Sequence, residues 1–324
     1  MKRSLALLLA AMLLMSLAAC KINGPSKPET TTDMDNPVTT ANGTTDPPPI
    51  EELPSMDAVL ANWAWGVTNG TGESPATRLA LTEYAFDCDF NKLTLALTPF
   101  GQAELEYKGE KKGEKGAEEE FTYFTEYAGI TGPDFALKAP MTVDSCQPPA
   151  FLVDKAALGT GLLPLEHKYD YREFSCPPAA AADIAKAEAM QQGRKVMKSE
   201  LLAVTPEGVR TCMFLYENRP DEALFSIMVL DGDKALAYDQ DTDNIGDDGA
   251  YWRVDLEADD VGLLEPLLLC RTKDGMLLVL GWTAPEAMAQ LVLREKGGAL
   301  EDMELSGMYY SRWDDKYHNP EEDD

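Results

Sequence analysis

The chain has 324 residues and carries 28 Lys and Arg against 56 Asp and Glu, so its formal net charge is −28. A surface this acidic repels phosphate, which excludes nucleic-acid binding through a phosphate-neutralising surface. The two histidines cannot build a three-histidine metal site. A hydrophobic content of 44% is typical of a globular protein and too high for a wholly disordered chain.

The first twenty residues have the organisation of an export signal. A basic start at residues 2–3 precedes an apolar segment at 5–15, which is shorter than the roughly 20 residues that span a bilayer. Small residues then lead to a cysteine in the run Leu17-Ala18-Ala19-Cys20. This order predicts a secretory signal peptide over residues 1–19.

The run that ends at Cys20 resembles the lipobox of bacterial lipoproteins. The resemblance implies that Cys20 carries a diacylglyceryl group, with palmitate-type chains, on its sulfur and becomes the mature N-terminus. Two acyl chains are what stable membrane anchoring requires. The expected location is therefore extracytoplasmic, on the cell membrane of a bacterium. Cleavage leaves 26 basic residues against 56 acidic ones, a charge of −30 that is expected to keep the body away from anionic headgroups.

A tether is predicted between the anchor and the folded part. Residues 21–55 contain seven Pro and seven Thr and almost no large apolar residue. Such a segment cannot bury enough apolar surface to offset the entropy of ordering. We therefore expect residues 20–55 to be a lipidated cysteine followed by a disordered Pro/Thr-rich tether.

Residues 56–313 are predicted to form a mainly β ectodomain with a minor helical part, an antiparallel sandwich or barrel with one or two short helices. Short apolar segments alternate with turn clusters at close, regular spacing, which is typical of such folds. The predicted strands lie near 92–97, 103–107, 195–204, 209–217, 223–230, 234–239, 250–256, 265–272, 276–282 and 288–295.

Two helices and one tail complete the expected architecture. Helical spacing of apolar residues favours a helix over 56–65, and good helix formers favour another over 179–192. The second helix is a candidate boundary between two halves, near 178–193. The acidic tail over 314–324 is expected to fray.

Two features of the β segments predict which faces are buried. Val209, Thr211, Met213 and Leu215 alternate with Arg210, Cys212, Phe214 and Tyr216, so each set belongs to one face of a strand. In contrast, residues 267–270 and 276–280 are apolar without alternation. That pattern is typical of central strands covered on both sides.

The cysteine pattern offers one candidate disulfide. Five cysteines follow Cys20: Cys88, Cys146, Cys176, Cys212 and Cys270. Cys146 and Cys176 lie in similar short segments that are followed by two prolines. We expect these two cysteines to form a disulfide, since the compartment of an exported protein permits disulfides. Cys212 and Cys270 lie in strand-like apolar segments and are expected to be small buried hydrophobes.

The segment 239–249 is a candidate calcium loop. It places acids at alternate positions before a turn, and Ca²⁺ prefers six to eight oxygen ligands. The expected ligands are Asp239, Asp241, Asp243 and Asp247. The spacing resembles calcium loops of the EF-hand type, but Asn244 replaces the glycine and Ala250 the bidentate glutamate. The alternative is an acidic surface hairpin.

Tyr251 and Trp252 follow the acidic loop and are candidate ligand contacts. Aromatic rings beside carboxylates can hold a cation, a sugar or a peptide. The same pair can equally serve as cross-strand packing in a hairpin.

Two functions remain open at this stage. The chain contains neither G-x-S-x-G nor S-x-x-K, and His167 and His318 are the only candidates for a cysteine's base. The favoured function is non-catalytic binding of a protein, peptide or glycan at the cell envelope, which predicts an exposed aromatic or apolar patch. The alternative is an envelope hydrolase that uses non-local carboxylates, which predicts two buried acids in a cleft.

Overall fold

A computed structural model describes residues 52–113, 127–143, 149–170, 175–220, 222–242, 245–246, 249–250, 263–284, 287–305 and 310–311. These residues fold mainly into antiparallel β-sheets with three short α-helices, which confirms the predicted fold class. Both a barrel and a pair of packed sheets are present.

The first six strands close into an antiparallel barrel in the order β1-β2-β5-β4-β3-β6. Their bounds are β1 Trp63–Thr68, β2 Ala76–Tyr84, β3 Leu95–Thr98, β4 Gly101–Lys111, β5 Gly132–Met141 and β6 Pro149–Val153. Closure leaves these six strands without a free edge, which removes the usual site of edge-to-edge aggregation.

One half of the barrel wall is buried on both sides. Inward-facing residues such as Ala64, Ala96 and Leu152 line the barrel core, while their neighbours Trp65 and Phe151 point outward into a second apolar cluster. Strands β1, β3 and β6 are therefore buried along their whole length. Strands β4 and β5 include exposed outward residues, because their outer faces meet solvent.

The second part of the fold is a five-stranded sheet in the order β11-β10-β9-β8-β7. Its strands are β7 Glu166–His167, β8 Val196–Val204, β9 Arg210–Tyr216, β10 Ala223–Asp231 and β11 Lys234–Thr242. The predicted alternation along 209–216 is confirmed. Met213 and Leu215 join one core cluster, and Cys212, Phe214 and Tyr216 join another on the opposite face.

The third part is a sheet in the order β14-β15-β16-β17, with β18 pairing to β16. Its strands are β14 Leu263–Thr272, β15 Gly275–Ala284, β16 Ala287–Lys296, β17 Ala299–Asp302 and β18 Tyr310–Ser311. A separate two-stranded ribbon joins β12 Ile245–Gly246 to β13 Gly249–Ala250.

This third sheet lies between the other two parts. Leu278 and Leu280 on β15 pack into the cluster shared with the β7–β11 sheet. Their neighbours Leu277 and Val279 pack into the cluster shared with the outer wall of the barrel. Coverage of both faces explains why 267–270 and 276–280 are apolar throughout, and it confirms that prediction.

The helices are short and have distinct positions. They are α1 Met56–Val59, α2 Lys155–Leu158 and α3 Ala181–Met190. The helix expected over 56–65 ends at Val59, and Trp63 already begins β1. Tertiary pairing decides this boundary, because β1 is hydrogen-bonded to both β2 and β6 in the closed barrel.

Helix α3 covers one face of the β7–β11 sheet. Strand β7 precedes the helix and β8 follows it, yet Glu166 pairs with Val204 in one sheet. Ala187 and Ile184 of α3 pack on the cluster that contains Phe214. Strands β7 and β8, which lie on either side of 178–193, therefore belong to the same sheet.

Hydrogen bonds to the folded part begin before residue 56, where the predicted ectodomain starts. The Pro54 carbonyl oxygen accepts a hydrogen bond from the Lys273 backbone N–H at 2.9 Å. The Glu52 carbonyl oxygen accepts one from the Thr160 hydroxyl at 3.4 Å. Residues 52–55, which the composition assigned to the tether, thus contact the folded part.

A buried ion pair attaches α3 to its sheet, and we expect it to be important for stability. Asp183, only 3% exposed, accepts from Arg210 Nε at 2.8 Å and from Nη2 at 2.9 Å. Removing one partner of a buried pair leaves the other uncompensated. Asp183→Asn should lower the free energy of unfolding by about 2–3 kcal/mol, somewhat below the usual cost because Arg210 is partly solvated.

Urea unfolding monitored by circular dichroism measures this change. The matched control is Glu301→Gln, which breaks an exposed, solvent-screened pair with Lys296 and should cost much less than Asp183→Asn. Equal losses in the two variants would contradict the assigned role of the buried pair.

Candidate functional site

A turn after β2 presents an aromatic side chain to solvent. Phe86 is 98% exposed, the highest exposure among the large hydrophobic side chains of the described residues, and Tyr84, two positions earlier, is 45% exposed. Fully burying a phenylalanine contributes about 1.5–3 kcal/mol. Because Phe86 is exposed, it does not contribute this free energy to the stability of the folded chain.

Backbone hydrogen bonds hold this turn in place. The Ala85 N–H donates to the Trp63 carbonyl oxygen at 3.1 Å, and the Cys88 N–H donates to the Ala85 carbonyl oxygen at 3.0 Å. The Asp89 N–H donates to the Asn62 side-chain oxygen at 3.0 Å. These hydrogen bonds fix the turn that carries Phe86 to the first residue of strand β1 and to Asn62, which precedes the strand.

Three further rings continue from this turn into the barrel. The rings of Tyr84 and Phe90 meet edge to face at 5.0 Å, and Phe90 contacts Tyr107 on β4 at 5.5 Å. Tyr107 in turn contacts the fully buried Phe135 at 5.3 Å. Such ring pairs contribute beyond their buried area and fix the orientation of the outer rings. Tyr84, Phe86, Phe90 and Tyr107 are called the aromatic patch below.

Carboxylates surround the aromatic patch. Asp87 and Asp89 flank the turn and are exposed, and Asp89 caps the 3₁₀ turn Phe90–Lys92 by accepting from the Asn91 N–H at 3.1 Å. The Tyr107 hydroxyl donates to Glu110 Oε1 at 3.3 Å. Burial and the neighbouring Glu110 raise the pKa of the Tyr107 hydroxyl, so it stays a neutral donor.

The structure places part of the candidate calcium loop inside a strand. Asp239 and Asp241 lie in β11, paired with Ser226 and Leu224 of β10. Both carboxylate oxygens of Asp239 accept hydrogen bonds, one from the Ser226 hydroxyl and one from Gln191 Nε2 at 2.8 Å. These contacts tie β11 to the end of α3.

The other calcium candidates, Asp243 and Asp247, lie outside the described residues. Within the residues that the structure describes, no three His, Cys, Asp or Glu side chains gather as a metal centre. Calcium binding by the loop therefore stays a prediction.

Several other predicted site residues also lie outside the described ranges. These are Cys20, Cys146, Tyr251, Trp252 and His318. Cys176, the expected partner of Cys146, is half-buried beside the core between the two packed sheets. The pairing of these two cysteines stays a prediction.

The other cysteines are structural. Cys212 and Cys270 are fully buried, as expected for small hydrophobes. Burial raises the pKa of each of these thiols to about 12. Burial likewise raises the pKa of the Cys88 thiol, near the aromatic patch, to about 11. A thiol with such a pKa carries little nucleophilic thiolate at neutral pH.

Three carboxylates are buried among the described residues, and an arginine bonds to each of the first two. Asp134 bonds to Arg78 and accepts from the Tyr127 hydroxyl at 3.0 Å. Asp183 is bonded to Arg210. The third, Glu265, lies opposite Gly281 in the central sheet, and Gln290 completes that row. No second acid shares this row.

Comparison with protein-family models, with curated proteins and with solved structures finds no match to this chain. No helix in the described ranges is long and apolar enough to cross a membrane.

Sequence reasoning did not identify the aromatic patch. The aromatic residues it singled out as ligand contacts were Tyr251 and Trp252, and the segment around Phe86 carries no strand or helix period. Without a strand or helix periodicity of apolar residues, the sequence does not distinguish an exposed phenylalanine from a buried one. The only local signal is the acidic pair Asp87 and Asp89 on either side of a cysteine, which favours a turn.

His167 links the two packed sheets, and its titration should affect stability. Its Nε2–H donates to the Pro266 carbonyl oxygen at 2.5 Å, on the outer edge of β14. Burial lowers the pKa of the His167 imidazole, although the hydrogen bond to Pro266 opposes this shift. The neutral form therefore stabilises the fold. This stabilisation is complete above the ordinary pKa of about 6.5 and is lost as the pH falls through the lowered value.

His167→Gln tests this assignment, because glutamine keeps an N–H donor and does not titrate. The free energy of unfolding of the natural protein should fall more steeply between pH 7.5 and 5.0 than that of the variant. Chemical denaturation at a series of pH values measures both curves. Parallel curves would show that His167 does not contribute to the acid sensitivity.

Proposed function

We propose that this chain is a membrane-anchored extracytoplasmic lipoprotein whose folded part binds a partner at the cell envelope without catalysing a reaction. Lipidated Cys20 and the segment that follows it attach the protein to the membrane. The aromatic patch is the binding surface.

The single observation that carries this proposal is the fixed exposure of Phe86. Buried aromatic anchors supply much of the free energy of protein recognition, and exposed apolar patches mark interaction sites. Phe86 presents a large apolar ring of the kind that acts as an anchor, and hydrogen bonds hold its turn in one conformation before any partner binds. Pre-ordering of this kind reduces the entropic cost of binding.

The arrangement of the buried acids gives the hydrolase alternative less support. A glycoside hydrolase needs two carboxyl groups that face one substrate. In the described part of the chain, Asp134 and Asp183 each bond to an arginine. Asp134 lies on β5 of the barrel, whereas Asp183 lies on helix α3. Glu265 has no acidic neighbour in its row.

The anchor is tested by Cys20→Ala. A lipobox without its cysteine cannot accept the diacylglyceryl group, so the variant should leave the membrane fraction or stay as an uncleaved precursor. Fractionation and the mass of the mature N-terminus measure both outcomes. Equal membrane attachment and an unchanged N-terminal mass in the variant would contradict the anchor.

The binding surface is tested by a photoreactive phenylalanine analogue, p-benzoylphenylalanine, at position 86 in intact cells. We expect specific crosslinked adducts at this position and their loss when Tyr84→Ala is added. The matched control carries the analogue at position 197, since Met197 is 71% exposed on β8, away from the barrel. Identical adducts at both positions, or none at position 86, would contradict the proposal.

A further inference from the structure

We infer that the partner of the aromatic patch is a cationic polypeptide segment rich in arginine or lysine. This inference rests on the proposed binding function and names the chemical class of the partner. Three properties of the surface support it.

The first property is local charge. The segment 83–91 contains three acids, Glu83, Asp87 and Asp89, and no basic residue. Of the basic residues nearest to the patch in the sequence, Arg78 is bonded to Asp134 and Lys108 to Glu106 at 2.6 Å, and Lys92 directly follows the segment. A partner with positive charge is therefore attracted to the turn that carries Phe86.

The second property is the combination of rings with fixed carboxylates. Glu110 is held at the Tyr107 hydroxyl, and Asp89 is held by its cap on Asn91. A guanidinium or ammonium group can lie over an aromatic face and reach a carboxylate at the same time. Apolar stems of arginine and lysine can cover the exposed Phe86 ring.

The third property is the electrostatic field that the net charge of the whole chain produces. A formal charge of −28 repels anionic polymers and anionic lipid headgroups over the screening length, and it attracts cations. A neutral glycan could stack on the rings, but it would gain nothing from this field. Salt dependence therefore distinguishes a cationic partner from a neutral one.

Titration calorimetry with the full-length protein in a non-ionic detergent tests the inference. The probes are hexa-arginine, hexaglutamine and a neutral N-acetylglucosamine hexasaccharide, each at 50 mM and 500 mM NaCl. We expect hexa-arginine to bind, hexaglutamine not to bind, and high salt to weaken the arginine complex. Phe86→Ala should weaken hexa-arginine binding about fivefold, the effect of one exposed cation–aromatic contact.

Charge and position are separated by two matched pairs of variants. Asp87→Asn should weaken hexa-arginine binding about twofold, whereas Glu73→Gln, at the opposite end of β2, should leave it unchanged. Met197→Ala is the control for Phe86→Ala, since it removes an exposed apolar side chain from another sheet. Thermal unfolding of each variant checks that the fold is intact.

Each outcome separates the inference from the proposed function. Hexa-arginine binding that is equal in the natural protein and in Phe86→Ala would overturn the inference, because charge alone would explain it. Binding of the hexasaccharide that depends on Phe86, without such binding of hexa-arginine, would overturn the cationic partner and keep the patch as a binding surface. If no probe depends on Phe86, the inference fails, and the crosslinking at position 86 decides the proposed function separately.

Discussion

The structure depends on one sheet that is apolar on both faces. Strands β14 to β16 bury Leu278 and Leu280 on one side and Leu277 and Val279 on the other. A sheet of this kind cannot meet water on either face, so it requires two covering layers. The β7–β11 sheet and the barrel wall supply them. The outer edge of β14 is covered as well, by the Leu163 N–H bonded to the Leu269 carbonyl oxygen and by the His167 side chain.

This arrangement determines which surfaces remain for binding. The barrel uses β1, β3 and β6 to cover the central sheet, and α3 covers the far side of the β7–β11 sheet. Phe86 lies on the connection after β2, where none of the layers formed by the described residues covers it. The ring contacts from Tyr84 to Phe135 connect this exposed turn to the barrel core, so the position of the patch depends on closure of the barrel. An acidic body with a fixed aromatic turn is suited to recognition of a positively charged partner.

The success of the sequence predictions follows the strength of the periodicity. The strands predicted between 195 and 239 and between 265 and 295 were correct within a few residues, because alternation along 209–216 and continuous apolar runs over 267–270 and 276–280 report burial directly. The strand predicted near 250–256 lies almost wholly outside the described residues. The first half was predicted less well. The segment 56–65 has helical spacing, but Trp63 and Trp65 take extended positions because two neighbouring strands pair with β1. Likewise, Asp239 and Asp241 were expected in a loop, yet pairing with β10 extends β11 through them.

The sequence by itself determined the properties that depend on local pattern and on composition. These are the mainly β class, the two-sided burial of the central strands, the burial of Cys212 and Cys270, and a charge that disfavours anionic partners. The tertiary structure alone decided the barrel order, the position of α3 on a sheet and the exposure of Phe86. Each of these depends on strand pairs and packed layers that are distant in the sequence, and a side chain's exposure is fixed only when those layers have closed around it or have left it uncovered.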